Sequence, residues 1–274
     1  MSEQSTMKTV SPDEQRRAVR ERYSEISQQE SNCCGSSSGC CTDDTSIDLT
    51  ETTRKLGYND EDRNTIEAGA NLGFGCGNPT AIAGLEAGQT VLDLGSGAGF
   101  DCFLASQAVG EIGQVIGVDM THEMVEKARV NARKNDATNT EFRLGEIEQL
   151  PVADGIVDVI ISNCVINLSP AKAQVFSEAF RVLRPGGRLA ISDVVLSASP
   201  PEVVRSDFDS IASCVGGAAT IEALKTMLEE AGFVDVEVEP QDESREFIRE
   251  WSDTYDVSEY VVSATIEAEK PVDD

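Results

Sequence analysis

Cysteines carry the most reactive side chains of this chain, and their distribution is unusual. Four of the eight stand as two adjacent pairs in the segment CCGSSSGCC, namely Cys33, Cys34, Cys40 and Cys41. Glycine and serine fill the space between the pairs, so the segment has nothing apolar to bury and no helix or strand period. We expect a mobile loop that exposes four thiols, whose purpose depends on the rest of the chain.

Three further cysteines are far apart in sequence. Cys76 lies in GFGCGNP, whose small residues are expected to leave the thiol accessible. Cys164 lies toward the carboxyl end of the predicted fourth strand, VDVIISNCVINL. Cys214 lies in a later element expected to cover the same crevice, so the three thiols could converge. Each could instead be a small buried hydrophobe, as free cysteine often is, and this is our interpretation of Cys102.

A glycine-rich loop follows the first apolar strand in TVLDLGSGAGFD, and Asp119 ends the next strand in IGVDM. Glycines there allow close approach of the backbone to a ligand. A carboxylate at the end of the second strand can accept hydrogen bonds from the ribose hydroxyls. The loop lacks the last glycine of the G-x-G-x-x-G pattern that binds a pyrophosphate. Acids at both of its ends, Asp93 and Asp101, favour a cationic ligand, and S-adenosylmethionine carries an amine and a sulfonium.

A third acid, Glu146 in LGEIEQLP, follows the third strand and is predicted to read the adenine amino group. The alternative is that the glycines only form a turn and the acids decorate an acidic surface. The residues predicted to bind S-adenosylmethionine, called the donor-binding residues below, are Asp93, Gly95, Ser96, Gly97, Asp119, Met120, Glu146 and Ile147.

Strand and helix patterns alternate from residue 89, which predicts an α/β fold with a doubly wound sheet. Capping signals and apolar spacing predict helices at 11–27, 122–134 and 220–232, and the last segments alternate as a hairpin at a sheet edge. We divide the chain into an N-terminal helix and cysteine-rich segment (1–60), a donor-binding core (61–198) and a cap element with the terminal hairpin (199–274).

The net charge of the chain argues against some classes of partner. With 22 Lys and Arg against 49 Asp and Glu, the net charge is −27, which disfavours nucleic acid and anionic membranes as partners. Concentrated salt would screen the self-repulsion, so we expect a cytoplasmic protein of a halophile; an ordinary acidic enzyme is the alternative. No apolar run reaches the length of a membrane span, and no export signal is expected at the start of the sequence.

The motifs together resemble the class I methyltransferase family. VLDLGSGAGFD, IGVDM, LGEIEQLP and AFRVLRPGGRLAISD match its landmarks in order over residues 89–195. The resemblance implies a seven-stranded sheet whose last strand is antiparallel, with S-adenosylmethionine as methyl donor.

Three soft thiolates without a histidine partner select a thiophilic centre; the lone histidine, His122, is expected to begin a surface helix. Trivalent arsenic takes three thiolates and forms a neutral complex, which avoids the penalty of a buried charge. Zinc with three thiolates would be anionic and would favour a fourth ligand.

A closer resemblance, to arsenite methyltransferases, rests on GANLGFGCGNPTAIAGL, ISNCVINLSP, CVGGAAT and ESREFI. It implies that Cys76, Cys164 and Cys214 hold arsenic, that an N-terminal cysteine takes part in a disulfide relay, and that an external thiol reductant of the thioredoxin or glutathione type is needed. Alternatives are methylation of a small organic acceptor such as a quinone precursor, or a thiol-based metalloid-binding protein. For CCGSSSGCC the alternatives are a zinc knot or a dispensable tail.

Overall fold

The computed structural model describes residues 11–29, 49–59, 62, 66, 69–73, 75–201, 214–251 and 256–272. In these ranges the strands are β1 (Thr90–Leu94), β2 (Gln114–Asp119), β3 (Thr140–Leu144), β4 (Val157–Asn163), β5 (Leu183–Leu196), β6 (Ala219–Thr220), β7 (Val234–Gln241) and β8 (Val261–Glu269). The α-helices are α1 (Pro12–Gln29), α2 (Leu49–Lys55), α3 (Pro79–Ala83), α4 (Phe100–Val109), α5 (His122–Lys134), α6 (Lys172–Val182), α7 (Ile221–Ala231) and α8 (Arg245–Ile248).

One mixed sheet runs in the order β3-β2-β1-β4-β5-β8-β7, with the two-residue β6 beside β5. β8 is antiparallel to both of its neighbours, and β1 to β5 pair in parallel. The predicted doubly wound sheet of seven ordered strands with an antiparallel last strand is confirmed. Because the strand order reverses between β1 and β4, a crevice opens beyond their carboxyl ends.

The central strands are buried on both faces. Leu92 packs into one apolar cluster together with Ile160, its neighbour across the β1–β4 pair. Val91 and Val159 pack into a second cluster on the other face. Because side chains alternate between faces along a strand, these strands present apolar side chains on both faces. Helices that cover both faces bury them and hold the strand ends in place.

Helix α1 begins at the predicted capping box. The Ser11 backbone N–H donates to Glu14 (2.9 Å), and the Glu14 N–H donates to the Ser11 hydroxyl (3.3 Å). Further along, the Gln15 side chain donates to the Leu168 carbonyl (3.1 Å), and Arg16 pairs with Glu148. These contacts hold α1 over the carboxyl ends of the strands.

Several boundaries differ from the sequence predictions. The fourth strand was expected to continue into CVINL but ends at Asn163, because Cys164 has a positive φ of 57° that extended backbone does not adopt. The predicted hairpin of β7 and β8 contains helix α8 between its strands, and β8 is inserted between β5 and β7. No helix among the described residues is long and apolar enough to cross a membrane. The division of the chain into three segments stays a prediction.

Candidate active site

A cavity of about 530 Å³ opens at the carboxyl ends of β1, β2 and β4. Seven of the eight predicted donor-binding residues line it: Asp93, Gly95, Ser96, Gly97, Asp119, Met120 and Ile147. Residues of α1, including Arg22 and Tyr23, and the aromatic side chains of Phe247 and Trp251 also line it.

The glycine loop shapes the floor of the cavity. Gly95 has a φ of 71°, a conformation that favours glycine, and a Cβ there would collide with the side chain of Val165. The Gly97 N–H donates to the Asp119 carboxylate (3.0 Å), and the Thr121 N–H donates to its other oxygen (2.8 Å). Asp119 is therefore held in one orientation at the end of β2.

Three carboxylates, those of Asp93, Asp101 and Asp119, line the cavity together. Burial raises the pKa of Asp101 to about 6 and also raises the pKa of Asp119. For Asp93, burial and then the neighbouring charge of Asp101 raise the pKa well above its usual range. Since desolvation and mutual repulsion oppose ionisation here, a cationic ligand would relieve both.

Glu146 does not line this cavity. It forms ion pairs with Arg16 and Arg20 of α1 at 3.6 and 3.2 Å. The acid that does line the cavity is Glu148, two residues later, which accepts a hydrogen bond from the Ser169 hydroxyl (2.8 Å). In a loop without a regular period, the sequence gives no sign of which acid faces inward.

The three scattered cysteines are neighbours in the fold, with Cys76 bonded to Cys164 and Cys214 against the Cys164 backbone. Cys76 and Cys164 form a disulfide bond with their Cα atoms 5.8 Å apart. The Cys214 thiol donates to the Cys164 carbonyl at 2.8 Å, and burial, followed by the charge of Asp193, raises the pKa of Cys214 well above its usual range. Cys164 and Cys214 line the cavity itself.

The expectation that glycines leave Cys76 accessible is wrong, because Cys76 is only 3% exposed. Its neighbours are small for a different reason. A Cβ at Gly75 would lie 2.9 Å from the Asn163 amide, and one at Gly77 would lie 2.8 Å from the Ser192 hydroxyl. The glycines let the loop pack tightly against the end of β4 and the neighbouring part of β5, and this packing brings Cys76 to Cys164.

Cys164 and Cys214 both have positive φ, at 57° and 69°. For residues with a Cβ this conformation costs about 1–3 kcal/mol and tends to persist at functional sites. Both therefore occupy strained positions that the surrounding fold imposes.

Asp193, inside the apolar strand β5, is a residue that the sequence analysis missed. It is 1% exposed, and one of its oxygens lies within 4.8 Å of both the Cys76 and the Cys164 sulfur. The Asn167 side chain (2.8 Å) and the Val194 N–H (2.8 Å) donate to it, and burial raises its pKa to about 6. A charged residue within the apolar run LAISDVVL was the signal that could have identified it.

Cys102, interpreted as a buried hydrophobe, is fully buried. Its thiol also donates to the Asp93 carboxylate at 3.2 Å, so it contacts from the core side a carboxylate that lines the cavity. Cys33, Cys34, Cys40 and Cys41 lie outside the described residues.

Comparisons with known proteins identify the family of this chain. Residues 85–232 match the model of a methyltransferase domain. The chain is 57% identical to an arsenite methyltransferase of Halobacterium salinarum over 96% of its length, and spans 68% of that protein. It is 43% identical to the arsenite methyltransferase of Mus musculus over 58% of its length, and spans 44% of that relative.

Among solved structures, the chain is similar to an arsenic(III) S-adenosylmethionine methyltransferase from Chlamydomonas reinhardtii. The two share a TM-score of 0.61 and 36% identity, over 81% of this chain and 73% of the algal one. The sheet topology, the family match and these identities together show that the chain belongs to the arsenite methyltransferases.

Proposed function

We propose that this protein transfers methyl groups from S-adenosylmethionine to trivalent arsenic held by Cys76, Cys164 and Cys214. The observation that supports the proposal is that Cys76 is bonded to Cys164, that the Cys214 thiol contacts the Cys164 carbonyl, and that Cys164 and Cys214 line a cavity whose floor is a glycine loop. The work of the protein is to bring a thiophilic acceptor and a cationic donor together.

The cavity suits the donor in size and charge. Its volume of about 530 Å³ falls in the range of small-molecule sites, roughly 300–1,000 Å³. Asp119 would accept hydrogen bonds from the ribose hydroxyls. Asp93 and Asp101 would attract the positive end of the molecule. Ile147 and Glu148 would contact the adenine. When bound, S-adenosylmethionine supplies a methyl carbon attached to a sulfonium.

Arsenic binding requires the Cys76–Cys164 disulfide to be reduced first. Burial raises the pKa of Cys214, so this group reaches the acceptor as a protonated thiol. Three thiols displace the three hydroxides of arsenite, and each thiol proton leaves with a hydroxide as water. The resulting arsenic tris-thiolate is neutral, which suits a buried site.

In the transfer step, the arsenic lone pair forms the new bond to carbon while the carbon–sulfonium bond breaks. The attacking atom carries no proton, so no general base is needed. Alignment of two bound reactants can contribute up to about 7–11 kcal/mol, and the rigid strand ends that carry Asp119 and Cys164 supply that alignment.

The disulfide suggests how arsenic returns to the trivalent state. Methylation formally oxidises arsenic to the pentavalent state, with three thiolates still bound. If two of them, Cys76 and Cys164, leave together as a disulfide, their two electrons reduce arsenic, and water supplies a hydroxide to the open position while releasing a proton. The Cα separation of 5.8 Å is typical of disulfides.

An external thiol reductant, of the thioredoxin or glutathione type, would then reopen the disulfide by thiol exchange. Cys33, Cys34, Cys40 and Cys41 are our candidates for relaying this exchange or for capturing arsenite. We also propose a salt-rich cytoplasm as the working environment, on the net charge of −27 and the similarity to the Halobacterium protein.

The test is methylation of arsenite by the purified protein with S-adenosylmethionine and a thiol reductant, followed by analysis of the arsenic species. We expect methylated arsenic from the wild type and from S177A, a control on the exposed side of α6. C164S and C214S should form none while binding the donor normally. Methylation by both cysteine variants would refute the tris-thiolate site, and arsenic binding without methylation would identify a metalloid-binding protein instead.

A further inference from the structure

We propose that Asn163 is a positioning residue that couples the donor cavity to the loop of residues 75–77, here called the thiol loop, so that a bound donor strengthens arsenic binding. This inference rests on the proposed function. Asn163 ends β4 immediately before Cys164, and its side-chain amide contacts both sites.

On the arsenic side, Asn163 holds the thiol loop at two points. The Cys76 backbone N–H donates to Asn163 Oδ1 at 3.0 Å, and Asn163 Nδ2 donates to the Gly77 carbonyl at 2.8 Å. The close approach exists because Gly75 has no Cβ to meet the amide.

On the donor side, the same Nδ2 donates to the Tyr58 hydroxyl at 3.0 Å and approaches Asp101 Oδ2 at 3.4 Å. The Tyr58 hydroxyl in turn donates to Asp101 Oδ1 at 2.6 Å. Tyr58 is fixed by an edge-to-face contact with Phe100 (5.1 Å between ring centroids). A chain of hydrogen bonds thus runs from a donor-cavity carboxylate to the backbone of Cys76.

This chain matters most in the reduced protein, the form that binds arsenic. The disulfide ties Cys76 to Cys164 covalently, and its reduction removes that tie. Asn163 then holds Cys76 beside β4 through hydrogen bonds alone. A positive donor attracts Asp101 and fixes it as an acceptor for Tyr58 and Asn163, so less ordering of the thiol loop remains when arsenic binds.

The experiment measures arsenite affinity of the reduced full-length protein with and without saturating sinefungin, an unreactive donor analogue that keeps a positive charge near the sulfonium position. Cys33, Cys34, Cys40 and Cys41 are replaced by serine throughout, so that arsenite binds only the folded site. Equilibrium dialysis with arsenic quantification gives the dissociation constants. The lone tryptophan, Trp251, lines the cavity and reports saturation by sinefungin.

We expect sinefungin to tighten arsenite binding about 5-fold or more in the parent protein, the lower end of typical coupling between two sites. The ratio compared is the arsenite dissociation constant without sinefungin over that with sinefungin. In N163A this ratio should fall to about 1, and in Y58F it should be smaller than in the parent protein. N163D serves if N163A unfolds, because aspartate keeps the acceptor for the Cys76 N–H but loses the donor to Tyr58 and to the Gly77 carbonyl. The control is N139A, since Asn139 donates to Ser106 and Gly110 away from the cavity, and it should keep the parent ratio.

A parent ratio of 1, or an unchanged ratio in both N163A and N163D, would overturn the inference while leaving the proposed function standing. Loss of the ratio in N139A as well would assign the effect to general destabilisation and overturn the specific role of Asn163. Absence of arsenite binding in the parent protein, by contrast, would overturn the proposed function and this inference with it.

Discussion

Reduction of the Cys76–Cys164 disulfide should destabilise the protein measurably. Closing a loop of n residues removes about 2.1 + 1.5R ln n cal/mol/K of entropy from the unfolded chain. For the 88-residue separation of this pair the corresponding contribution is about 4.6 kcal/mol at 25 °C. Measured disulfides more often contribute about 2–4 kcal/mol, so we expect a loss between about 2 and 4.6 kcal/mol on reduction.

The assay is equilibrium unfolding in urea, followed by circular dichroism, with and without a phosphine reductant. The wild type should show a lower midpoint when reduced, and C76S/C164S should be insensitive to the reductant. Arsenite added to the reduced wild type should raise the midpoint again, because a tris-thiolate reconnects the same segments and stabilises the folded state by mass action.

Three outcomes would refute this reasoning. A wild-type midpoint that reduction leaves unchanged would mean that the disulfide does not constrain the unfolded chain. An equal effect of the reductant on C76S/C164S would mean that other cysteines carry the stabilisation. If arsenite fails to raise the midpoint of the reduced protein, the three thiols do not bind it together.

Three further predictions concern the donor cavity and the surface. E148Q should weaken sinefungin binding about 10-fold by isothermal titration, the effect of losing a hydrogen bond to a charged group, while E146Q should stay within about 2-fold; the reverse order would restore Glu146 as the adenine-reading acid. Because the pKa of Asp101 is raised to about 6, sinefungin affinity should increase as pH rises through about 6 and Asp101 ionises. D101N should lose the part of this dependence that comes from Asp101, and an unchanged profile would contradict the assignment. With a net charge of −27, the melting temperature by calorimetry should be higher in 2 M than in 0.1 M KCl, and equal values would argue against adaptation to salt.

Much of the fold follows from local patterns. The apolar runs of β1, β2 and β4 and the caps of α1 and α7 are properties of neighbouring residues, so the sheet and several helix bounds could be predicted. α7 illustrates this: the Thr220 hydroxyl accepts from the Ala223 N–H at 3.2 Å, and Gly232 adopts a φ of 105° after the last turn. Both caps can be recognised in the sequence from the residue type and its position relative to the helix.

The donor cavity could be predicted in part. Asp93, Gly95, Gly97 and Asp119 line it because parallel strands bring their carboxyl ends to one edge, whatever the details of the loops. Glu146, the acid named from the sequence, does not line the cavity, because side-chain direction after a strand depends on how the turn packs and here Glu146 forms ion pairs with α1.

The sequence by itself therefore determined the class of sheet, the glycine loop with its acids and the kind of acceptor that free thiols select, since these depend on residue types at short spacing. Only the tertiary structure decided that Cys76 is buried and bonded to Cys164, that Cys214 donates to the Cys164 backbone, and that Asn163 and Asp193 contact or approach these cysteines. These contacts join residues up to 117 positions apart, from Cys76 to Asp193. Their geometry depends on packing of the whole sheet, which no local pattern encodes.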